Sequence, residues 1–283
     1  MTTVEFDQIA EVYDETRRVM DEQTLAGARQ MLDENGCRSI LEVGVGTGRV
    51  AYPLKRSGFE VTGLDISRRM MERAMQKGIA DLVLADGACI PFNAKSFDAT
   101  FMAHVFHIIV DPFSVMLEGA RVSRVGVFAL FRKRDPNRPW FPFFGEPPAG
   151  DEAAKKIFED KRERYRKIGE KYHWDWERSH RRHNWGMEAG ILKNHPPDEL
   201  KIVSDVLVND SLEERITRFE KDAYGFMAEM PLEMRQEIVK EMRARASSAP
   251  ELARQPRHEV YQLAMWRSES LRFHRTRRQE GFA

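Results

Sequence analysis

"LEVGVGTGRV", residues Leu41–Val50, places three glycines where an apolar run passes into an amphipathic one. Three ligand classes use a turn of this kind after a buried strand, and the spacing of the glycines separates them. A dinucleotide fingerprint is G-x-G-x-x-G, its third glycine allowing helix and strand to pack closely. With the first two glycines on Gly44 and Gly46, the third position falls on Arg49, and Gly48 stands one residue early. The Gly-Lys-Ser/Thr ending of a nucleoside-triphosphate loop is missing as well. What remains is acid-x-G-x-G-x-G, with Glu42 two residues before Gly44.

Working outward, short apolar runs alternate with amphipathic segments as far as Pro139. "RSILEVGVG" leads to a helix ending near Ser57, and "FEVTGLD" to a helix from Ser67 to Lys77. "DLVLAD", "FDATFMA" and "VGVFALF" supply three further strands. Strands separated by helices call for right-handed crossovers and a parallel sheet with helices on both faces. The punctuation agrees. Ser67 is a good N-cap, Gly58 and Gly78 stand where helices should stop, and Asp111-Pro112 forms an N-cap and first helical position.

Two carboxylates follow the glycines in order. Asp65 ends the second strand, where it can accept hydrogen bonds from both hydroxyls of a ribose; Ser67 is the better helix cap. Asp86 opens "DGACIPF" after the third strand. It can accept from an adenine amino group while a backbone N–H of Gly87 or Ala88 reaches a ring nitrogen, or Asp86-Gly87 can be a plain turn. With "FDQIAEVYDETR" at the front, the stretch from about Phe6 to Phe131 resembles the class I S-adenosylmethionine-dependent methyltransferases. It is most similar to the small-molecule enzymes of the ubiquinone and menaquinone biosynthesis type.

The resemblance implies a Rossmann-like, doubly wound seven-stranded sheet whose last strand is antiparallel, with S-adenosyl-L-methionine across the carboxyl ends of the first strands. S-adenosyl-L-homocysteine would be the product. Gly44 and Gly46 would let the backbone approach the methionine part of the cofactor, and free N–H groups of a helix beginning after Gly46 would face its carboxylate. Tyr13 and Arg17, in a front segment folded over the cofactor, could meet the same carboxylate; alternatively Arg17 is a solvated surface residue. Glu42, Val45, Gly48, Ile66, Ala103 and His104 complete the expected cofactor site. Two departures stand out: "SRVG" where the family has a Pro-Gly-Gly turn before the fifth strand, and Pro53, expected to distort the helix after the glycine loop.

Methyl transfer from a sulfonium is an in-line displacement, so a site needs mainly to exclude water, align donor and acceptor, and accept a proton. His104, just past the fourth strand, is the candidate general base; packing beneath the cofactor is the alternative, and His107 is the weaker candidate. An Asn/Asp-Pro-Pro-aromatic motif, which would point to methylation of a base amino group, is absent from that strand end.

Composition bounds the rest. The 283 residues carry 45 Lys+Arg and 45 Asp+Glu, so no overall field recruits nucleic acid or an anionic membrane. Cys37 and Cys89 exclude a disulfide framework, the front segment is too charged for a signal peptide, and "FMAHVFHIIV" is too short for a bilayer. The expectation is a soluble cytoplasmic protein with no metal. His173, Asp175, His180 and His183 are too irregularly spaced for a site.

Residues 1–138 are expected to form the cofactor-binding core, and 139–200 a helical and aromatic insertion. Residues 201–283 should complete the same domain with "LKIVSDVLV", helices near Ser211–Met230 and Pro231–Ala246, "HEVYQLAMWR" and a basic tail. The span Trp140–Trp185 suggests a lid whose charged helix is mainly a solvated face. The function expected is methylation of a small-molecule acceptor. The alternatives are a methyltransferase acting on RNA or protein, through the basic tail and the Arg/Trp segment, and a noncatalytic cofactor-binding protein.

Overall fold

The computed structural model describes residues 6–7, 9–17, 20–133, 150–174, 187–208, 212–221, 230–248 and 257–271. Seven strands form one sheet: β1 (Ser39–Val43), β2 (Glu60–Asp65), β3 (Leu82–Leu84), β4 (Phe97–Ala103), β5 (Ser123–Lys133), β6 (Glu199–Val208) and β7 (Arg257–Arg267). Their order is β3-β2-β1-β4-β5-β7-β6. The first five pair in parallel, and β7 runs antiparallel to both β5 and β6. This is the Rossmann-like architecture that the alternation implied, with the antiparallel last strand. The chain reverses strand order between β1 and β4, so the carboxyl ends there open a crevice for a ligand.

The period-2 alternation of side chains explains how one sheet serves two cores. On one face Ile40, Phe101, Phe128, Leu130, Leu263 and Met265 pack with α2 (Glu22–Glu34), α3 (Ala51–Arg56) and α4 (Arg68–Gln76). On the other, Leu41, Met102, Val127, Ala129, Ala264 and Trp266 pack with α5 (Pro112–Val122) and with Ile191 of α7 (Met187–Asn194). A short helix, α1 (Tyr13–Thr16), precedes these. Ser67 caps α4 by accepting from the Met70 N–H at 3.2 Å, and Asp111 caps α5 by accepting from Ser114 N–H at 3.3 Å. Gly58 and Gly78, each at φ 98°, close α3 and α4.

Two local expectations change. Pro53 does not distort its helix, because the helix starts at Ala51. Pro53 therefore lies in the first turn, where an N–H has no intrahelical partner to lose. Before β5 no turn is needed: α5 ends at Val122 and Ser123, with extended φ −100° and ψ 143°, is both its C-cap and the first strand residue.

The second half departs further. Helix α6 (Glu152–Lys171) is mainly a solvated face, as expected, but it carries a narrow buried stripe that the expectation left out. Tyr165, Ile168 and Tyr172 form a stripe that packs with Trp174 against α8 (Leu212–Glu220) and α9 (Leu232–Ser248), on Ile216, Phe219, Met234, Ile238 and Met242. Polar clasps border this third core: Lys171 Nζ to Glu237 at 2.6 Å, the Tyr172 hydroxyl to Glu237 at 3.1 Å and Arg164 to Glu241 at 3.2 Å. The helix expected over Ser211–Met230 ends at Glu220, whose carbonyl accepts from Arg235 at 3.4 Å. Trp140, Trp176, Trp185, the proline-rich entry up to residue 149 and the basic tail beyond residue 271 lie outside the described residues. No helix of the described residues is long and apolar enough to cross a membrane.

Candidate functional site

The glycine turn leaves β1 with three left-handed residues, Gly44 at φ 76°, Gly46 at 53° and Gly48 at 77°. The chain can make this path because no Cβ is present to clash with the backbone. A Cβ on Gly44 would lie 2.4 Å from Val105 Cγ1, whereas one on Gly46 would meet nothing within 4 Å. Gly44 is thus small for packing, and Gly46 presents bare backbone to open space.

The amides of the turn are largely spent inside the protein. Gly44 and Val45 N–H both donate to the Leu64 carbonyl, at 2.8 and 3.0 Å, and Gly48 N–H to the Val45 carbonyl at 2.9 Å. Gly46 N–H donates to Asp65 Oδ2 at 2.7 Å. Since the helix begins at Ala51 and not directly after Gly46, its first N–H turns inward to the Glu42 carboxylate. The array of helix N–H groups expected to face a cofactor carboxylate is therefore not what this turn offers.

Glu42 itself is the more telling group. It is 2% exposed, and its Oε2 is buried without a hydrogen-bond partner. Burial pushes its carboxyl well above the usual range, and the neighbouring Asp65 adds to this, while the Ala51 N–H and the Arg49 charge oppose it. A buried acceptor left unsatisfied costs free energy, so an Oε2 without a partner at this position calls for an explanation.

Asp65 closes β2 with both oxygens engaged: Oδ2 on Gly46 N–H and Oδ1 on Ser67 N–H at 2.9 Å. Burial raises its carboxyl, and the backbone N–H groups of Ser67, Gly46 and Ile66 counter that. The carboxylate is held rigid at the carboxyl end of β2, and Ile66 follows it. Past β3, Asp86 Oδ1 accepts from Ala88 N–H at 2.8 Å and its carbonyl from Cys89 N–H at 2.9 Å. The Asp86-Gly87 pair is therefore a turn, and the Ala88 N–H is closed within it. Gly87 is buried against Val43 and Val115, where a Cβ would come to 2.8 and 3.1 Å of their methyl groups. Leu84 pairs with Asp65 in register, so both carboxylates edge the same crevice.

The front segment is stapled beside this turn by residues that motif reading missed. Asp14 Oδ1 accepts from the buried Thr47 hydroxyl at 2.6 Å, and Lys77 Nζ lies 2.5 Å from Asp14 Oδ2 and 3.2 Å from Thr47 Oγ1. Asp7 accepts from the Ser67 hydroxyl at 2.6 Å and from Arg69 N–H at 3.2 Å. Ile9 and Ala10 pack on Met70, with Phe6 and Tyr13 alongside. Arg17 lies over the Tyr13 ring at 5.0 Å. The spacing of Asp7 and Asp14 carries no motif; their partners are fixed only by the fold.

Across β1, Ala103 ends β4 and His104 follows at φ 57°, a left-handed conformation uncommon for a residue with a side chain. Burial pushes the His104 imidazole down to about 3, and the charges of Arg49, His107, Arg132 and Arg17 act the same way. It is therefore neutral at physiological pH and a weak base. His104 stacks edge-on against Tyr261 of β7, ring centres 5.8 Å apart. His107 turns away toward Glu188 of α7, 3.9 Å from its carboxylate. Of the residues weighed as metal ligands, His173 is described and Asp175, His180 and His183 are not; among the described residues no group of three could hold a metal ion.

Comparison with known proteins fits this geometry. The methyltransferase domain family matches residues 41–131, from β1 into β5. Demethylmenaquinone methyltransferase of Thermotoga maritima is 33% identical over 168 residues, which cover 52% of this chain and 73% of that protein. The enzyme of the same name from Tropheryma whipplei is 33% identical over 129 residues, 43% of this chain and 54% of that protein. The chain thus spans about half the length of the second relative. A solved structure of a methyltransferase candidate from an antibiotic biosynthesis pathway of Anabaena variabilis shares the fold. Its TM-score is 0.54 at 13% identity, over 87% of this chain and 98% of that one. The acid-x-G-x-G-x-G turn, the β3-β2-β1-β4-β5-β7-β6 sheet and these likenesses place the chain in the class I S-adenosylmethionine-dependent methyltransferases.

Proposed function

We propose that this chain binds S-adenosylmethionine across the carboxyl ends of β1, β2 and β3 and methylates a small-molecule acceptor in the cytoplasm. The observation that carries the cofactor reading is the unpartnered, buried Oε2 of Glu42 beneath a glycine turn whose Gly46 faces open space. The α-ammonium of the cofactor is the donor this oxygen lacks. Gly44, Val45, Gly46 and Gly48 form the bed for the amino-acid chain, with Tyr13 and Arg17 closing over it. Asp65, pinned by two backbone N–H groups, meets the ribose hydroxyls with Ile66 beside it. Asp86, Gly87 and Ala88 flank the adenine. Ala103 and His104 face the sulfur end.

When bound, the cofactor supplies an electrophilic methyl group on a sulfonium. The protein's own work is orientation and exclusion of water. The neutral His104 ring adds no positive charge beside a sulfonium, and its left-handed backbone turns the chain away from the strand end to leave room for an acceptor. The relatives named for demethylmenaquinone act on a small molecule, and the balanced charge of this chain supports the same acceptor class over nucleic acid. Two free cysteines, Cys89 exposed, suit a reducing compartment.

Labelled S-adenosylmethionine incubated with the purified chain and, separately, a small-molecule extract, mixed RNA and a protein extract tests the acceptor class. Label is expected in the small-molecule fraction. Incorporation confined to RNA or protein would overturn that reading.

A further inference from the structure

Opposite the crevice at the carboxyl ends of β1–β3 lies a polar cluster on β5 and β7, in which Glu259 is buried, Tyr261 half-buried and Arg132 exposed. Tyr261 and Glu259 are two apart on β7, hence on one face of the strand. The Tyr261 hydroxyl donates to Glu259 Oε2 at 3.5 Å, and Arg132 of β5 lies 3.3 Å from Glu259 Oε1. Arg132 is directly opposite Tyr261 in the β5–β7 register. Glu259 is 6% exposed, with the Arg132 guanidinium and the Tyr261 hydroxyl facing its two oxygens. The Tyr261 ring meets the His104 ring edge-on, which brings β7 to the end of β4.

The order of strands then fixes the relation to the cofactor. Ribose and adenine groups belong to β2 and β3, and the amino-acid end to the turn after β1. The side left for an acceptor is that of β4, β5 and β7. Charged groups facing Tyr261 from other elements are Arg49 of the glycine turn, Arg132 of β5 and Asp21 before α2. Among the nearby groups His104 is a poor proton acceptor, whereas Tyr261 has oxygen lone pairs to accept with and a carboxylate to donate to.

We propose that Tyr261, Glu259 and Arg132 form with His104 the acceptor wall of the site, and that Tyr261 takes the proton of a protic nucleophile, an O–H or N–H group, while passing its own to Glu259. The balance is simple. The nucleophile's lone pair forms the new bond to the methyl carbon, and the carbon–sulfur bond breaks with its electron pair remaining on sulfur. The nucleophile's proton moves to Tyr261 Oη, and the Tyr261 proton moves to the Glu259 carboxylate. Tyr261 is then a catalytic residue, and Arg132 a positioning residue that aims Glu259. This inference rests on the cofactor position proposed above.

The test needs no acceptor. Sinefungin carries a protonated amine on the carbon that stands in for the methylated sulfur, so its N–H groups point to the acceptor side, while S-adenosylhomocysteine has nothing there. Calorimetric affinities of both ligands are measured for the full chain and for Tyr261→Phe and Glu259→Gln. Both variants are expected to hold S-adenosylhomocysteine within about twofold of the parent and to lose about tenfold in sinefungin affinity. Should Glu259→Gln fail to fold, Tyr261→Phe decides alone. A sinefungin-to-S-adenosylhomocysteine ratio unchanged in Tyr261→Phe overturns the wall while leaving the cofactor reading intact. A parent chain that binds neither ligand overturns both.

Discussion

Gly44 and Gly46 share a left-handed backbone, yet a methyl group added to each would do different damage. On Gly44 it would strike Val105 at 2.4 Å, so strain adds to overpacking in the buried core. Gly44→Ala is expected to lower stability by about 2–4 kcal/mol. On Gly46 it would enter open space, so Gly46→Ala should cost only about 1 kcal/mol of stability while sharply weakening S-adenosylhomocysteine binding. Denaturant melts and calorimetry on the two variants check the contrast; equal stability losses would contradict it. Glu42 gives a pH-dependent counterpart. Its folded carboxyl titrates well above its ordinary value of 4.5, so the folded chain keeps a proton that the unfolded chain has lost, and stability falls as pH rises above 4.5. Glu42→Gln removes that loss. Its Tm in the ligand-free state should exceed the parent's at neutral pH, the difference shrinking toward pH 4.5, while its S-adenosylhomocysteine affinity drops. A Tm difference independent of pH would refute the assignment. The acid, glycines and Asp65 were legible in the sequence because one turn fixes all their spacings. Asp7, Asp14 and Tyr261 were not, since their partners come from segments that only the fold brings near.

At the scale of elements, the front segment is attached to the core by a small apolar cluster and a polar clasp. The Asp14–Lys77 pair is about one-third exposed on each side, so it adds little to global stability, under about 1 kcal/mol. Its position beside the glycine turn gives it leverage on ligand exit instead. Asp14→Ala is expected to speed dissociation of S-adenosylhomocysteine several-fold in stopped-flow fluorescence with a nearly unchanged Tm; an unaltered dissociation rate would show that the segment does not cover the site. The strands and the caps at Ser67 and Asp111 were legible because each is a local pattern. Pro53 misled because the helix starts five residues past Gly46, which puts the proline in its first turn. Helix α6 reads as a solvated face and most of it is one, but its packed stripe was hidden by the charge that dominates its composition. Its stripe of Tyr165, Ile168 and Tyr172 becomes a core only against α8 and α9, which follow β6 in the chain.

Across the whole molecule, the proposed function gives one sheet two jobs divided by β1. On the proposed reading the β1–β3 side, with its pinned carboxylates and glycine turn, takes the nucleoside and its amino-acid chain. The β4–β5–β7 side, with His104, Tyr261, Glu259 and Arg132, is proposed for the partner that receives the methyl group. The sheet order was legible from the alternation and the family resemblance together. The packing of α6 with α8 and α9 was not, because it joins segments separated by β6. The central claim is that the glycine turn admits S-adenosylmethionine and not a dinucleotide, since Arg49 stands where a dinucleotide fold needs its third glycine. Calorimetric titration of the purified chain with S-adenosylhomocysteine and with NAD tests it most directly. The account predicts micromolar-range binding of S-adenosylhomocysteine and no comparable binding of NAD; binding of NAD without S-adenosylhomocysteine would contradict it.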